Sequence, residues 1–390
     1  MKSLLCLSLF FAGLVLHAAD TPAIEEGRGV PNFLAKVTAG EKVHVAFFGG
    51  SITQNKTGHT KRIPDWLKAK WPAVEFTFTN AGLGSTCSVS GAFRAERDVW
   101  SKGSIDLLIV EFAVNDDQDA GHDRKTAIRG LEGVLRQYFT RNPNGEAISV
   151  QFVNPGILAK HLAGEETDSV AAHKAVARHY GIASVDVGLA LAGEIKAGKK
   201  TWEKDYGETH PNPAGYQFAS DLITRVIANS PTAESVAPVP VPEPLDPACY
   251  EGAVVVDPQA LSWLGGWKYG PVSKELIPQG TIRGDYTVFN CLRSDEAGDY
   301  LYHTFAGSAL TAFVLAGPDS GALEVSVDGG DWRRVELHHS YSKGLNYPRT
   351  VILADDLSGA YHTAAIRTAE EKPAASEGHS ATILFFGVNE

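Results

Sequence analysis

Short apolar runs alternate with amphipathic stretches along the first part of the chain. Five apolar runs predict β-strands, at 43–48, 74–79, 105–112, 148–153 and 182–187. Apolar residues also recur at helical spacing, and these patterns predict helices over 128–138, 170–177 and 214–227. Because strands and helices alternate, we expect a parallel sheet with helices on both faces.

The last part of the chain has a different pattern. From 248 to 390 the segments are short and alternate between apolar and polar positions, as in 321–328, with Gly-Gly, Pro-Asp and Ser-Gly pairs at their ends. Helical periodicity is hard to find there, so the pattern predicts an antiparallel β-sandwich. The segment 230–247 contains six prolines and is typical of an extended linker. The first folded unit therefore covers 20–229.

The first 19 residues have the features of a secretory signal peptide. Lys2 supplies a positive start, 3–16 is almost wholly apolar, and small residues end the segment 17–19. The apolar run is too short to span a bilayer comfortably, and no later run reaches spanning length. We therefore expect a secreted or periplasmic protein whose mature chain has no membrane span.

Composition and charge narrow the range of functions. A chain with 44% hydrophobic and 21% charged residues has an ordinary globular composition, which excludes disordered, collagen-like and coiled-coil proteins. It has 35 Lys and Arg against 46 Asp and Glu, a net charge of −11, and no basic run. A surface this acidic is a poor match for nucleic acid or for an anionic membrane.

Neither the cysteines nor the acidic residues form a recognisable metal motif. After the leader, the cysteines are Cys87, Cys249 and Cys291, and their spacing does not match a metal site. In an oxidising compartment Cys249 and Cys291 can form a disulfide, and the sequence does not decide whether they do. A cluster of four aspartates lacks the glycine and glutamate of a calcium loop, and we interpret it as a solvated loop. Its members are Asp116, Asp117, Asp119 and Asp123.

Four segments carry residues suited to acyl transfer. The first, Gly49-Gly50-Ser51-Ile52-Thr53, ends a predicted strand, where glycines allow a tight turn and leave room around the serine hydroxyl. A helix that begins at this point favours negative charge nearby. A serine that merely caps a helix would show the same pattern, so this segment alone does not decide between the two readings.

The other three segments supply complementary groups. The Gly-rich segment 80–85 follows the second strand and lets backbone N–H groups approach a ligand. Asn115 follows the third strand, and its amide can donate to a developing negative charge. His210 precedes a helix that starts with proline, where it can accept a proton from a serine.

Taken in order, the four blocks resemble the SGNH (GDSL-like) hydrolase superfamily, and more narrowly its branch with a Gly-Gly-Ser-Ile-Thr first block. The four matching blocks are Gly49-Gly50-Ser51, Asn80 to Ser85, Glu111 to Asp116 and His210-Pro211-Asn212, and Gly91 to Arg94 also resembles that branch. The resemblance covers 40–228. It implies a flavodoxin-like three-layer α/β/α fold, ester hydrolysis as the activity, and no cofactor or metal.

The resemblance also implies a role for each matched residue. Ser51 would be the nucleophile and His210 the general base. The oxyanion hole would consist of the Ser51 backbone N–H, a backbone N–H at Gly84 or Ser85, and the Asn115 side chain. The family usually has Gly at the position of Ser85, but a backbone N–H survives that change.

The acid partner of His210 is the point at which the chain departs from the family. The acid normally precedes the histidine by three residues, and that position is Gly207 here. Asp205 and Glu208 are both candidates, and a Ser-His dyad without an acid is the third option. We expect Asp205 to orient the ring, because Gly207 makes the required bulge of the chain sterically easy.

The second unit points to a carbohydrate substrate outside the cell. Tyr361-His362 and 325–330 weakly resemble jelly-roll modules attached to carbohydrate esterases. The unit also has aromatic residues that can stack on sugar rings, namely Trp263, Trp267, Tyr269, Trp332, Tyr341 and Tyr347. We therefore expect a carbohydrate O-acetylesterase whose partner is an acetylated glycan. The alternatives are a lipid or aryl ester hydrolase and a non-catalytic carbohydrate-binding protein on a degenerate hydrolase fold.

Overall fold

A computed structural model describes residues 22–263 and 265–390 of the chain. The expected signal peptide, 1–19, lies outside the described residues. Within them, no helix is both long enough and apolar enough to cross a membrane.

The first unit is built on a six-stranded sheet. Its strands are β1 (Ile24–Glu25), β2 (Val43–Gly49), β3 (Phe76–Gly82), β4 (Leu107–Glu111), β5 (Glu146–Gln151) and β6 (Ala183–Asp186). They lie in the order β1-β6-β5-β4-β2-β3, in which β1 is antiparallel to its neighbour and the other pairs are parallel. The five predicted strands are confirmed, with small shifts at their ends. The sequence did not predict β1, because a strand of two residues is too short to show a hydrophobic pattern.

The helices of this unit are α1 (Pro31–Thr38), α2 (Ser51–Gln54), α3 (His59–Lys70), α4 (Ser88–Asp98), α5 (Arg124–Arg141), α6 (Pro155–Ala163), α7 (Asp168–His179), α8 (Val187–Lys196), α9 (Trp202–Asp205) and α10 (Pro213–Asn229). The three predicted helices correspond to α5, α7 and α10. Their first turns are capped by side chains that accept backbone N–H bonds, from Asp123, Thr167 and Asn212. The sequence reading did not predict α4, and tertiary packing buries most of this helix.

Two apolar layers cover the sheet, one on each face. Val45 and Phe47 of β2 pack in the layer that contains α1, α3, α6, α8 and α10. Ala46 and Phe48 pack in the opposite layer, with α4, α5 and α7. This alternation follows from the two-residue period of side chains along a strand. It confirms the expected three-layer α/β/α fold.

The Pro-rich segment 230–247 contains no helix or strand and lies against the first unit. Asn32 Nδ2 donates to the Ala237 carbonyl oxygen over 2.7 Å. Further along, Glu132 Oε2 accepts a hydrogen bond from the Asp246 backbone N–H over 2.8 Å. Because proline has no N–H to donate, contacts through the residues between the prolines fix this extended segment.

The second unit is a sandwich of two antiparallel sheets. Its strands are β7 (Ala253–Val256), β8 (Ser262–Trp263), β9 (Lys268–Pro271), β10 (Asn290–Ser294), β11 (Tyr300–Ala306), β12 (Ala309–Ala316), β13 (Ala322–Val327), β14 (Arg333–Glu336), β15 (Tyr347–Ala354), β16 (Tyr361–Thr368) and β17 (Ala381–Asn389). One sheet has the order β15-β12-β17-β10-β9, with β7 also paired to β17, and the other has the order β14-β13-β16-β11-β8. The predicted antiparallel sandwich is confirmed.

The β12–β17 sheet is covered on both faces. Both of these strands are buried along their whole length. One face packs on the other sheet, and the other packs on α4 of the first unit, where Ser90 Oγ lies 2.7 Å from Thr350 Oγ1 and Phe93 lies against Gly387. The two units therefore share a packed interface. It brings loops of the sandwich beside the first unit.

The described cysteines are buried and form no disulfide. Cys87, Cys249 and Cys291 are all free thiols. The pairing of Cys249 with Cys291 that the sequence left open is therefore absent from this structure. Burial raises the pKa of Cys249 to about 12 and that of Cys291 to about 11, so both thiols stay protonated and unreactive at neutral pH.

Candidate active site

The turn that carries Ser51, the expected nucleophile, joins β2 to α2 and depends on two glycines, and we call it the nucleophile turn. A Cβ atom on Gly49 would lie 2.2 Å from Glu111 Oε1, and one on Gly50 would lie 2.0 Å from Asn115 Oδ1. Neither position tolerates a side chain without movement of its neighbour. Ser51 is the first residue of α2, where its backbone N–H has no partner within the helix.

Ser51 and His210 are brought together. Ser51 Oγ lies 2.7 Å from His210 Nε2, within hydrogen-bond distance. His210 sits in the turn before α10, whose N-cap Asn212 accepts backbone bonds from Ala214 and Gly215. This is the geometry that a general base needs toward a serine nucleophile.

Asp205 is not brought to His210, which corrects the expectation from the sequence. Gly207 does adopt a left-handed φ of 102°, so the chain turns there as expected. However, Asp205 Oδ2 accepts the Thr201 backbone N–H over 2.8 Å, and Oδ1 lies 3.6 Å from Lys200 Nζ. The carboxylate is thus held at the start of its own helix, α9, because free N–H groups there attract negative charge.

Glu208 does not take the place of Asp205. Its side chain is exposed, and no carboxylate in the described chain forms an ion pair or a hydrogen bond with His210. The ring is itself exposed, so water can contact the edge that faces away from Ser51. The geometry is therefore that of a Ser-His dyad rather than a triad.

The residues expected to form the oxyanion hole surround Ser51. A Cβ atom on Gly84 would lie 3.8 Å from Ser51 Cβ, so the Gly84 backbone is close to the nucleophile. The Gly84 N–H donates to Gln54 Oε1 over 3.0 Å. The expected oxyanion hole would therefore combine backbone groups of α2 with those of the loop that follows β3.

Ser85 adopts a backbone conformation that suits glycine. Its φ is 66°, in the left-handed region that side chains disfavour. Its Oγ accepts a hydrogen bond from Arg283 Nη1 over 2.8 Å. The serine at this position therefore links the Gly-rich loop of the first unit to the second unit, which a glycine cannot do.

Asn115 begins a π-helical turn, Asn115–Asp119, four residues after the last residue of β4. Its side chain is 3% exposed, and its Nδ2 donates to Asp119 Oδ2. An amide nitrogen carries two hydrogens, so a second one is free to face an oxyanion. Burial raises the pKa of Asp119, against the opposing effect of the Asn115 hydrogen bond.

The aspartates of this loop are not all solvated, which corrects the sequence interpretation. Asp116 is fully buried, and its two oxygens accept hydrogen bonds from the Ser88 N–H and from His173 Nε2. Burial alone would raise its pKa, but hydrogen bonds from His122 and His173 outweigh that effect and hold the pKa well below its usual range. The ligand atoms of Cys87, Asp116 and His122 lie within 4.8 Å of one another, a donor set that suits zinc.

Glu111 lies directly behind the nucleophile turn. It is 1% exposed, and its Oε1 accepts hydrogen bonds from the Gly50 N–H, the Thr53 N–H and the Thr53 hydroxyl over 3.0, 3.2 and 2.5 Å. Burial raises its pKa to about 7, although these hydrogen bonds oppose the rise. The sequence blocks include Glu111, but its residue type alone did not indicate a role.

A cleft of about 600 Å³ opens above Ser51 between the two units, and we call it the interdomain cleft. The first unit contributes Ser51, Gly84, Asn115 and His210 among others, and the second contributes Arg283, Tyr341, Leu345 and Tyr347. Hydrogen bonds fix the second wall to the first. Examples are Gln118 Nε2 to the Tyr341 hydroxyl (3.2 Å), the Tyr286 hydroxyl to the Gly84 carbonyl (3.0 Å) and His339 Nε2 to the Asp119 carbonyl (3.0 Å).

The aromatic candidates of the second unit have separate locations. Tyr341 and Tyr347 line the interdomain cleft, whereas Trp267 is buried in the core of the sandwich. Trp332 is exposed elsewhere, with the Arg367 guanidinium 4.2 Å from its ring centroid. The Trp263 side chain lies outside what the structure describes. No local signal in the sequence indicated Arg283, Leu345, Gln54 or Gln118.

Residues 47–218 match the model of the GDSL-like Lipase/Acylhydrolase family. The match lies wholly within the first unit, which we therefore call the GDSL-like domain. The match to an acylhydrolase family identifies this domain as the carboxylic ester hydrolase part of the chain. No curated protein matches the chain.

Solved structures resemble the GDSL-like domain and the sandwich together. A two-domain esterase (CEX) active on acetylated mannans, co-crystallised with mannopentaose, is 22% identical with a TM-score of 0.73, over 94% of this chain and 96% of that one. A second structure of a two-domain esterase (CEX) active on acetylated mannans is also 22% identical. Its TM-score is 0.72, over 94% of this chain and 97% of that one. The likeness spans both units, so this chain and the two solved structures share the same two-domain fold.

Proposed function

We propose that this protein is a secreted serine esterase that removes O-acetyl groups from a polysaccharide. One observation carries the proposal: Ser51 Oγ and His210 Nε2 lie 2.7 Å apart at a cleft that both units form. A nucleophile and a base within hydrogen-bond distance, beside several N–H donors, have the arrangement required for acyl transfer.

The reaction would proceed through an acyl-enzyme. His210 takes the Ser51 proton as Oγ attacks the acetyl carbonyl carbon. The resulting oxyanion is stabilised by the Ser51 N–H, the Asn115 amide and the Gly84 N–H. The Gly84 N–H donates to Gln54 Oε1 in this structure, and the oxyanion would replace that oxygen as its acceptor. His210 then protonates the departing sugar oxygen. In the second half, His210 activates a water that releases acetate from Ser51.

The missing acid has a limited effect on this scheme. In a triad the acid orients the imidazole and stabilises its positive charge. Here the exposed edge of His210 is accessible to water, and the hydrogen bond with the Ser51 hydroxyl orients the other edge. Oxyanion stabilisation does not depend on the acid, so loss of the acid weakens catalysis without abolishing it.

The lining of the interdomain cleft favours a sugar ester over a lipid. Tyr341 and Tyr347 offer aromatic surface for a sugar ring, and Arg283, Gln118 and Asp119 offer hydrogen-bonding groups. Val114 and Leu345 are the aliphatic side chains in this lining, too few to enclose a long acyl chain. An acetyl group needs no such enclosure. The activity of the structurally similar CEX esterase on acetylated mannans is in line with this substrate class.

Export is part of the proposal and rests on the leader sequence 1–19. Expression with the leader in a bacterial host should release a mature chain that begins near residue 20. Mass measurement of the protein from the periplasm or medium tests this. A full-length chain retained in the cytoplasm would contradict it.

The substrate is tested by acetate release from a panel of acetylated mannan, xylan and pectin. The chain-length profile on nitrophenyl esters is measured in parallel. We expect release from at least one polysaccharide and a preference for acetyl over longer acyl groups. A preference for long chains would favour the lipase alternative. A phosphonate that fails to form an adduct on Ser51, with no hydrolysis of any ester, would favour the non-catalytic alternative.

A further inference from the structure

Glu111 is packed against the backbone of the nucleophile turn. It ends β4, and in the parallel register Gly49 of β2 lies opposite it. One carboxylate oxygen, Oε1, accepts three hydrogen bonds, all from the residues Gly50 and Thr53 that flank Ser51 and Ile52. One side-chain atom of the sheet thus bonds to both ends of the turn that presents Ser51, and the Tyr216 hydroxyl also donates to the Ile52 carbonyl oxygen within it, over 3.1 Å.

The other oxygen of Glu111 has no partner. Oε2 is buried and forms no hydrogen bond with any described residue. An acidic group buried with half of its hydrogen-bonding capacity unused costs free energy of folding. Stability therefore does not explain a glutamate at this position, whereas the position of Ser51 does.

We propose that Glu111 is a positioning residue that holds Ser51 in its reactive place, and that it does so tightly only as a carboxylate. This inference rests on the proposed role of Ser51 as the nucleophile. An ionised acceptor forms hydrogen bonds about twice as strong as a neutral one. Protonation of Glu111 therefore loosens the turn, and a small displacement of the nucleophile lowers the rate sharply.

The surroundings of Glu111 bring the protonation of its carboxylate close to neutral pH. Burial raises its pKa to about 7, against the lowering effects of the Thr53 and Gly50 bonds and of the Arg94 charge. Tyr206 and Tyr216 are the other titratable groups coupled to it, and burial raises the pKa of both far above neutrality, so they stay uncharged. We therefore expect kcat to rise as the pH passes about 7.

Glu146 offers a matched control within the same sheet. It is fully buried, and burial raises its pKa to about 7 as well. Its carboxylate accepts the backbone N–H groups of Asn32 and Phe33, over 3.1 and 2.9 Å. It begins β5, however, and so lies at the opposite end of the strands from Ser51. Glu146 therefore shares the burial and ionisation of Glu111 but not its contact with the nucleophile turn.

Both residues should affect stability with the same sign. The folded-state pKa of each lies above the usual value of 4.5, so folding favours the protonated form. Their contribution to stability is fully present below about pH 4.5 and is lost as the pH rises through about 7. Glu111→Gln and Glu146→Gln should each flatten this part of the stability profile.

The experiment compares kcat and KM of wild type, Glu111→Gln and Glu146→Gln from about pH 5 to 9 on a nitrophenyl acetate. We expect Glu111→Gln to lower kcat at high pH by about 10- to 100-fold, with KM changed less than about threefold, and to remove one ionisation from the kcat profile. Glu146→Gln should keep the wild-type kcat profile. An unchanged profile in Glu111→Gln, or the same change in both variants, would overturn the proposal.

Amide hydrogen exchange tests the inference without any substrate. In wild type, the Gly50 and Thr53 amides should gain protection, relative to intrinsic exchange, as Glu111 ionises. In Glu111→Gln this gain should disappear, while Glu146→Gln should retain it. If the gain is present but Ser51→Ala retains esterase activity, the proposed function fails and the inference about Glu111 as a catalytic positioning residue fails with it. If Ser51→Ala is inactive and the gain is absent, only the Glu111 inference fails.

Discussion

The two walls of the interdomain cleft have different origins. The wall with Ser51, Asn115 and His210 comes from turns at the edge of one parallel sheet. The opposite wall, with Arg283 and Tyr341, comes from irregular loops of the sandwich. Under the proposed function, the first wall would carry the groups that break the ester bond, and the second would carry groups that recognise what is attached to the ester. Substitutions in the first wall should therefore change kcat, and those in the second should change KM for large substrates.

The strongest test of the first wall is Ser51→Ala. It should lower ester hydrolysis by about three orders of magnitude or more, because the nucleophile is lost while the fold is kept. Turnover of nitrophenyl acetate measures the effect, and circular dichroism checks the fold. Near-normal turnover in a folded variant would show that this wall does not supply the nucleophile.

Asn115→Ala should have the next largest effect. It removes an oxyanion donor, so kcat should fall by about 100-fold while KM changes little. Because Asn115 also bonds to Asp119, the thermal midpoint of the variant should be measured alongside. A change confined to KM would place Asn115 with the recognition groups and would weaken the contrast between the walls.

Tyr341→Ala tests the second wall. Loss of one stacking surface is worth about 1 kcal/mol, so KM for the acetylated polysaccharide should rise by about three- to tenfold. Hydrolysis of nitrophenyl acetate should stay within about twofold. Tyr361→Ala is the matched control, since Tyr361 is 82% exposed on β16 and does not line the cleft. Equal losses on both substrates would mean that the second wall takes part in the chemistry.

The smallest effects are expected at Asp205 and Glu208. Neither carboxylate contacts His210, so Asp205→Asn and Glu208→Gln should each change kcat/KM by less than about threefold. His210→Ala in the same assay shows the loss expected when the base itself is removed. A large loss in Asp205→Asn alone would indicate that the loop rearranges to form a triad when substrate binds.

Ser51 and Asn115 of the first wall were predictable because they lie close to strand ends, whereas His210 lies between α9 and α10. The apolar run of β2 leads into Gly49-Gly50-Ser51, and the three later blocks favour a nucleophile over a helix cap at Ser51. Asn115 follows β4 in the same way. In a parallel sheet, carboxyl ends of neighbouring strands share one edge, so side chains far apart in sequence converge there.

The orientation of Asp205 was not predictable in the same way. Gly207 predicts a turn, and the turn is present, but the direction of a nearby carboxylate depends on which donor it meets. Thr201 and Lys200 lie closer to Asp205 in the folded chain than His210 does. Asp116 shows the same limit, because its histidine partner His173 lies on α7, a distant helix whose packing alone buries the pair.

The pattern of apolar residues and the four short blocks were sufficient for the layers of the first unit, the sandwich of the second, and the place of Ser51. These features follow from periodicity and turn chemistry, which act over a few residues. Packing of the sandwich on α4 was needed to bring Arg283 to Ser85 and Tyr341 to Gln118. Such contacts depend on the fit of two surfaces far apart in the chain, and no local pattern encodes that fit.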